Sequence, residues 1–323
     1  MIEVRKYSPE DKELWNGFIS TAKNATFLFN RNFMDYHNDR FEDFSLLFFN
    51  KGKLVAVLPA NLNENIVHSH QGLTYGGLVI QAKTKFEEYV LIFEYLLKYL
   101  IEHKIEQLYL KELPEIYASN PSREFEYIQF LLDAETTRVD ISSTIKTESC
   151  ITISSNRMEG YKRGVKFGLK IVEVKELDSF WNEILIPNLK EKHNTSPIHS
   201  LSEIKLLKEY FPENIRQFNV YDMDKLVAGT TVFVTNKVAH SQYISGNEDK
   251  SKLGSLDFLH HYLISEVFKD KTFFDFGIST ENQGKSVNKG LLFWKEGFGA
   301  RATTYKTFRI ETKNYKKLSQ VFI

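Results

Sequence analysis

Apolar and polar positions alternate over residues 273–278, with Phe274, Phe276 and Ile278 on one face and Phe273, Asp275 and Gly277 on the other. A period of two predicts a buried strand. Residues 279–287 carry hydroxyls, amides and a carboxylate with almost nothing to bury, so they read as a loop. Helical spacing follows. Asn288 stands in an N-cap position, Leu291, Leu292 and Trp294 form an apolar stripe, and Gly297 and Gly299 end the helix on either side of Phe298. A closing strand runs to residue 310. A strand that delivers a polar loop to the mouth of a helix is a common way to build a ligand site.

The remaining pattern predicts two similar series of elements. In the first, residues 2–7 form a strand, and Ser8 or Pro9 opens a helix to residue 23 with Leu14, Trp15, Phe18 and Ile19 inward. Residues 26–43 read as a short helix ending in a loop. Apolar runs at 44–49 and 54–59 flank Lys51 and Gly52, a hairpin signal. The stretch HSHQGLTYGGLVI (68–80) gathers polar groups around three glycines that permit close backbone approach. An amphipathic helix (86–103), a strand (105–110), a short helix (123–131) and a strand (136–145) follow. The second series has a strand at 150–154, a basic helix from Asn156 or Arg157 to Lys166, a strand at 169–174, and helices at 177–193 and 200–211. Three antiparallel strands (215–222, 225–234, 237–245) and a helix at 254–268 complete it; the helix has a stripe of Leu256, Leu259, Leu263 and Val267. Hairpin-connected strands disfavour a wholly parallel sheet. The expected fold is mixed α+β, in two tandem units covering 1–146 and 147–323, each a mostly antiparallel mixed sheet flanked by helices.

Composition narrows this picture. A chain of 323 residues exceeds the size at which one core usually keeps growing. With 26 Phe and 16 Tyr, it collapses rather than staying disordered. The absence of a long apolar run excludes a membrane span, and the start, MIEVRKYSPEDKELW, reads as strand and acidic helix rather than signal peptide. Cys150 is the only cysteine, which rules out an internal disulfide and fits a reducing cytoplasm. Net charge is zero, yet residues 1–150 carry 16 basic and 22 acidic side chains, and residues 151–323 carry 26 and 20. From 285 to 317 there are nine Lys or Arg against Glu296 and Glu311. This local excess points to an anionic ligand near the second half. For the lysines after 311 the competing reading is a solvated edge protected from aggregation. The asymmetry falls short of a dedicated nucleic-acid binder.

Three stretches carry a family resemblance. They are the basic helix and strand MEGYKRGVKFGLKIVEV (158–174), the hairpin and helix KLVAGTTVFVTNKVAHSQYISGNEDKSKLGSLDFLHHYLI (225–264), and NKGLLFWKEGFGA (288–300). In their order they resemble the GNAT acyltransferase fold, and the whole chain is similar to FemAB-type proteins, in which two GNAT-like domains stand in tandem. That resemblance implies an acyl-CoA donor such as acetyl-CoA, or an aminoacyl-tRNA ester as in Fem-type transferases. The chain departs from the CoA-dependent pattern. Its loop NEDKSKLGS (247–255) holds one glycine where a glycine-rich pyrophosphate loop is usual, and Trp294 stands where many such enzymes carry a proton-donating tyrosine. The run from Trp294 to Gly299 matches the aromatic-Lys-x-Gly-Phe-Gly stretch of Fem-type transferases, so the resemblance gives Lys295 their catalytic role.

Acyl transfer to an amine needs a neutral amine, a stabilised oxyanion and a neutralised leaving group. Lys295 is a fixed positive charge for the second or third task, or else a surface helix lysine. Asn288 binds a substrate carbonyl or simply caps the helix. Ser279 and Asn282 bind ligand or make local turns. Gln242 and Tyr243 lie on opposite faces of a strand, so at most one faces a cleft. Asp257 and His261, four apart on a helix, are candidates to pair. Asp275 is a base or a hydrogen-bonded structural carboxylate. His70, Gln71 and Tyr75 form an acceptor-side wall or a structural polar loop, and His193 and His199 flank a turn that faces the cleft or solvent. Lys306 joins the substrate-binding candidates from the basic run. His68 and His70 lack a third ligand at suitable spacing, so no metal is expected.

The sequence therefore predicts a cytoplasmic N-acyltransferase that moves an acyl or aminoacyl group from a thioester or ester donor to a small-molecule or peptide amine. Transfer is direct, since no nucleophilic serine or cysteine stands out. The first unit would serve the acceptor, and the second the donor and the chemistry. Two alternatives stand beside it: an aminoacyl-tRNA-dependent ligase extending a peptidoglycan precursor of the bacterial cell envelope, and a GNAT-derived binding protein whose chemistry has lapsed.

Overall fold

Lys51 and Gly52 both adopt left-handed backbone, with φ of 50° and 74°. That geometry closes a tight hairpin whose twist suits its strands. The hairpin joins β2 (Leu46–Asn50) to β3 (Lys53–Leu58), and β1 (Ile2–Lys6) pairs antiparallel with β2. A computed structural model of the chain describes residues 2–149 and 152–323. It divides into two compact units, one of residues 1–140 and 304–323, the other of 141–303.

In the first unit, β4 (Asn61–Asn63) and β5 (Ile66–His68) form a hairpin, β6 (Val79–Ile80) pairs with β3, and β7 (Gln107–Lys111) lies parallel to β5. The long helix α2 (Phe86–Glu102) follows α1 (Lys12–Thr21) and precedes α3 (Glu124–Leu131). It buries Phe93, Leu96, Leu97 and Leu100 among Phe48, Leu58, Ile80 and Leu110. In α1, Trp15, Phe18 and Ile19 are buried as predicted, but Leu14 is 45% exposed: it sits beyond the narrow arc that a ten-residue helix turns inward. Residues 26–43 break into the short turns Phe27–Phe29, Arg31–Met34 and Asp35–His37, because the Thr26 and Asn30 side chains each cap a new start.

The final strand, Arg301–Glu311, pairs antiparallel with β7 from Thr307↔Lys111 to Glu311↔Gln107, and Phe308 and Ile310 enter the first core. Thr304–Ile323 therefore folds with the first unit rather than remaining with 147–323. Alternation alone says that Phe308 and Ile310 are buried, not which core receives them.

The second unit is a sheet in the order β9 (Lys170–Val174), β10 (Ile215–Asp222), β11 (Lys225–Val234), β12 (Val238–Gly246), β13 (Phe273–Ile278) and residues 141–146 of the strand β8 (Glu135–Lys146). All neighbours are antiparallel except β12 and β13. One face packs Phe218, Val232, Ala239, Phe274 and Phe276 against Leu259 and Leu263. Leu259 lies on α7 (Ser255–Tyr262), which runs into a π turn at Leu263–Val267. Before it in the chain come α4 (Ser155–Lys166), α5 (Ile186–His193) and α6 (Leu201–Tyr210); after it comes α8 (Lys289–Glu296). On the other sheet face the buried Phe180 and Trp181 pack over Gly229 and Thr231, and the fully buried Gln217 accepts from Thr231 and donates to Asn219. Residues 152–154 are not a strand; Cys150 and Ile151 lie outside the described residues. Among the described residues, no helix is long and apolar enough to cross a membrane.

Candidate active site

The site of interest lies in the second unit, where β12 and β13 part. Their parallel ladder runs from Val238↔Phe273 to His240↔Asp275. Beyond it both strands are irregular. On β12, Thr231 pairs with Tyr243 and Val232 with Ser241, which leaves Gln242 as the bulged residue. On β13, Asp275 pairs with Thr144 and Ile278 with Ser142, so Phe276 and Gly277 together face Ser143. Gly277 takes φ of 74°, a conformation a side chain disfavours.

Asp275 holds this bend. It is fully buried, and its Oδ1 accepts from the hydroxyls of Ser142 and Thr144 and from the Gly277 N–H at 3.1 Å. Its Oδ2 lies 2.9 Å from His240 Nδ1. Of the two readings offered by the sequence, this is the hydrogen-bonded carboxylate.

Lys295 approaches the same bend from α8. Its ammonium donates to the carbonyl oxygens of Gly277 and Ile278, each at 2.8 Å. The residue is 2% exposed, so the surface-lysine reading is excluded. Burial lowers its pKa to about 8, and the Asp275 charge opposes that shift. Of the apolar stripe expected on α8, Leu291 is 38% exposed, Leu292 and Trp294 are half-buried with Trp294 packed on the second core, and Lys295 is the residue the helix buries. Satisfied carbonyl acceptors make an ammonium a tolerable interior group where no stripe-based reading would place one.

Trp294 gives its indole N–H to Asp257 Oδ1 at 2.8 Å, and Arg157 donates to the same oxygen at 2.6 Å. Asp257 thus serves Trp294 and Arg157; His261 instead stacks on Tyr161. His260, fully buried, lies against Phe276, Trp294 and Phe298, and burial lowers its pKa to about 4.

The start of α7 is a poor seat for a pyrophosphate. Gly254 stands so close to α4 that an added Cβ would lie 2.1 Å from the Gly160 carbonyl oxygen. Asp257 also sets a carboxylate in the first turn, where an anion would need the positive helix end. The residues present therefore do not fit the phosphates of an acyl-CoA at this helix.

The other candidates take definite places. Asn288 caps α8: its Oδ1 accepts from Leu291 N–H at 3.0 Å, and its amide donates to Glu281. Asn282, with φ of 49°, donates to Ser286 across the turn between Thr280–Glu281 and Ser286–Val287. The hydroxyl of Ser279 is buried and has no hydrogen-bond partner among the described residues. Gln242 is half-buried on its bulge, and Tyr243 is buried, its hydroxyl 2.6 Å from His199 Nδ1. The His193 side chain lies outside the described set.

His70, Gln71, Tyr75 and Lys306 belong to the first unit. His70 is buried, accepts from Gly72 N–H and stacks on His37; burial lowers its pKa to about 3. Gln71 pairs twice with Asn61, and Tyr75 donates to Thr26. The Lys111 ammonium ties this loop by donating to the carbonyls of His70, Gln71 and Leu73. Lys306 accepts at its backbone from Glu112 N–H. Among the described residues, no group of three or more His, Cys, Asp or Glu is arranged to hold a metal ion.

Sequence reading missed His240. The residue has no local motif, and its partner Asp275 stands 35 positions later.

No family model and no curated protein matches the chain. Solved structures do. FemX is similar with a TM-score of 0.66 at 9% identity, covering 98% of this chain and 99% of its own. L-PGS from Bacillus licheniformis follows with 0.60 at 11% identity, covering 98% and 95%. A tandem GNAT protein from the clavulanic acid biosynthesis pathway gives 0.51 at 12% identity, covering 97% and 99%. These likenesses span both units, and with the sheet order and the parted strands they show that the chain has the FemAB-like fold of two tandem GNAT-like units.

Proposed function

We propose that the protein is a transferase that moves an acyl or aminoacyl group from an ester donor directly to an amine acceptor. The observation that carries this reading is the buried Lys295 ammonium, anchored on the carbonyls of Gly277 and Ile278 where β12 and β13 separate. Two of its three N–H groups are spent on fixing its position. The third has no protein acceptor among the described residues and is available to a substrate carbonyl oxygen as that oxygen becomes negative. A preorganised donor of this kind is worth about 10²–10³ in kcat.

The poor fit of the α7 start to a pyrophosphate favours an ester donor over acyl-CoA. Aminoacyl-tRNA is the ester donor we favour. The exposed lysines Lys162 and Lys166 of α4 offer phosphate contacts on the same unit. Such a donor sets the reaction in the cytoplasm, and a peptide amine of a cell-envelope precursor is the matching acceptor. Ser279, Gln242, Tyr243, His199, Asn282 and Asn288 are the second unit's substrate-binding candidates, and His70, Gln71, Tyr75 and Lys306 those of the first.

The test is a transfer assay with two donors, total aminoacyl-tRNA and acetyl-CoA, and a uridine-nucleotide peptide as amine acceptor. Transfer from the tRNA ester that Lys295→Met reduces at least 100-fold is the expected result. Transfer from acetyl-CoA alone overturns the choice of donor. No transfer, together with thermal stabilisation by the peptide, identifies a binding protein instead.

A further inference from the structure

His240 is partnered unlike the buried histidines of this chain. His260 gives Nδ1 to a backbone carbonyl and His199 meets a tyrosine hydroxyl. His240 alone among these faces a carboxylate, at 2.9 Å, and that carboxylate is itself completely buried. Asp275 is held in turn by Ser142, Thr144 and the Gly277 N–H, so it cannot swing away from the ring. With Nδ1 bonded to a fixed carboxylate, the imidazole keeps its proton there and presents Nε2 as the basic nitrogen.

Nε2 has no protein partner among the described residues, and the His240 side chain retains 12% exposure while Asp275 retains none. One edge of the ring is therefore open. Gly277 keeps it open: a Cβ at that position would lie 3.2 Å from His240 Cε1 and 3.7 Å from Nε2. The same glycine offers its carbonyl to Lys295. A base and a fixed positive charge thus meet at one glycine, at the place where the two strands part.

We infer that His240 is the catalytic base of the transfer, with Asp275 as its positioning residue. The inference rests on the acyl-transfer reading. As the neutral amine attacks the ester carbonyl, the new C–N bond forms and Nε2 takes one proton from the attacking nitrogen. The C–O bond to the leaving group then breaks, and the imidazolium returns that proton to the departing oxygen. The products are an amide and an alcohol, and the histidine ends as it began.

The experiment uses the full chain with total aminoacyl-tRNA and the uridine-nucleotide peptide. His240→Gln should lower kcat about 10²–10⁴-fold with KM for the peptide nearly unchanged. Asp275→Asn should lower kcat less, and added imidazole should restore part of the activity of His240→Ala. A fold-independent check uses the wild type: acylation of His240 by a histidine-directed reagent should abolish transfer in proportion to its modification, and bound substrate should slow it. Full kcat in a folded His240→Gln, or modified His240 with activity retained, overturns the role of His240 and leaves acyl transfer standing. A wild type that transfers from no donor overturns both.

Discussion

The Lys295 ammonium lies 2.8 Å from the Gly277 carbonyl oxygen, and the N–H of the same glycine is held by Asp275 at 3.1 Å. A lysine and an aspartate of opposite charge therefore grip the two polar groups of one left-handed glycine. This arrangement fixes the bend in β13 and brings α8, β12 and β13 to a common point.

Transfer should fall as pH rises through about 8, because burial lowers the Lys295 pKa to about 8 and the charged form is the active one. Lys295→Met should lose this limb of the pH–rate profile along with most of its rate. Stability responds with the opposite sign. Between the folded pKa and the ordinary 10.5, the unfolded chain binds the extra proton, so this site's contribution to stability grows as pH rises. Urea midpoints at pH 7.5 and 9, compared between wild type and Lys295→Met, read that difference.

Gly160→Ala should destabilise the second unit by about 1–3 kcal/mol, the usual cost of overpacking. The added methyl would lie 1.8 Å from Asp257 Oδ2, the carboxylate that holds Trp294 and Arg157. Chemical denaturation followed by tryptophan fluorescence reports both the loss and the disturbed indole. A variant as stable as wild type would contradict the contact between α4 and α7.

Asn288→Ala should cost about 1 kcal/mol through loss of the α8 cap. Asn288→Asp or Asn288→Ser should recover most of it, since either oxygen accepts from Leu291 N–H. Thermal melts of the three variants decide this. A changed KM with an unchanged melt would instead make Asn288 a substrate ligand.

Acid should destabilise the fold well before its carboxylates titrate. Burial keeps His70 and His260 neutral down to about pH 3 and about pH 4, against an ordinary 6.5. Below 6.5 the unfolded chain takes up protons that the folded chain refuses, so stability falls with falling pH. Each histidine contributes a slope of about 1.4 kcal/mol per pH unit until its folded pKa is reached. Urea midpoints at pH 7 and pH 5 measure the slope, and His260→Leu should reduce it.

Much of the fold was legible in local pattern. The hairpin at Lys51 and Gly52, the 86–103 helix, the three-stranded meander and the helix over 254–268 depend on neighbours a few residues apart, and they appear where the spacing put them. The cap role of Asn288 was legible for the same reason. The Lys295 environment was not, because a stripe of Leu291, Leu292 and Trp294 gives no hint that the lysine after it turns inward onto strand carbonyls. His199 and Tyr243 were both singled out, but their hydrogen bond joins residues 44 apart.

By itself the sequence determined most of the elements and their order, though not those at 26–43 or 152–154, since φ/ψ preference and apolar period act within single elements. Only the tertiary structure decided which core Phe308 and Ile310 enter, that His240 meets Asp275, and that the start of α7 is closed by Gly160. Those outcomes depend on strand pairing and helix approach across long separations, and no local pattern encodes the distance between two residues that meet only after the chain has folded.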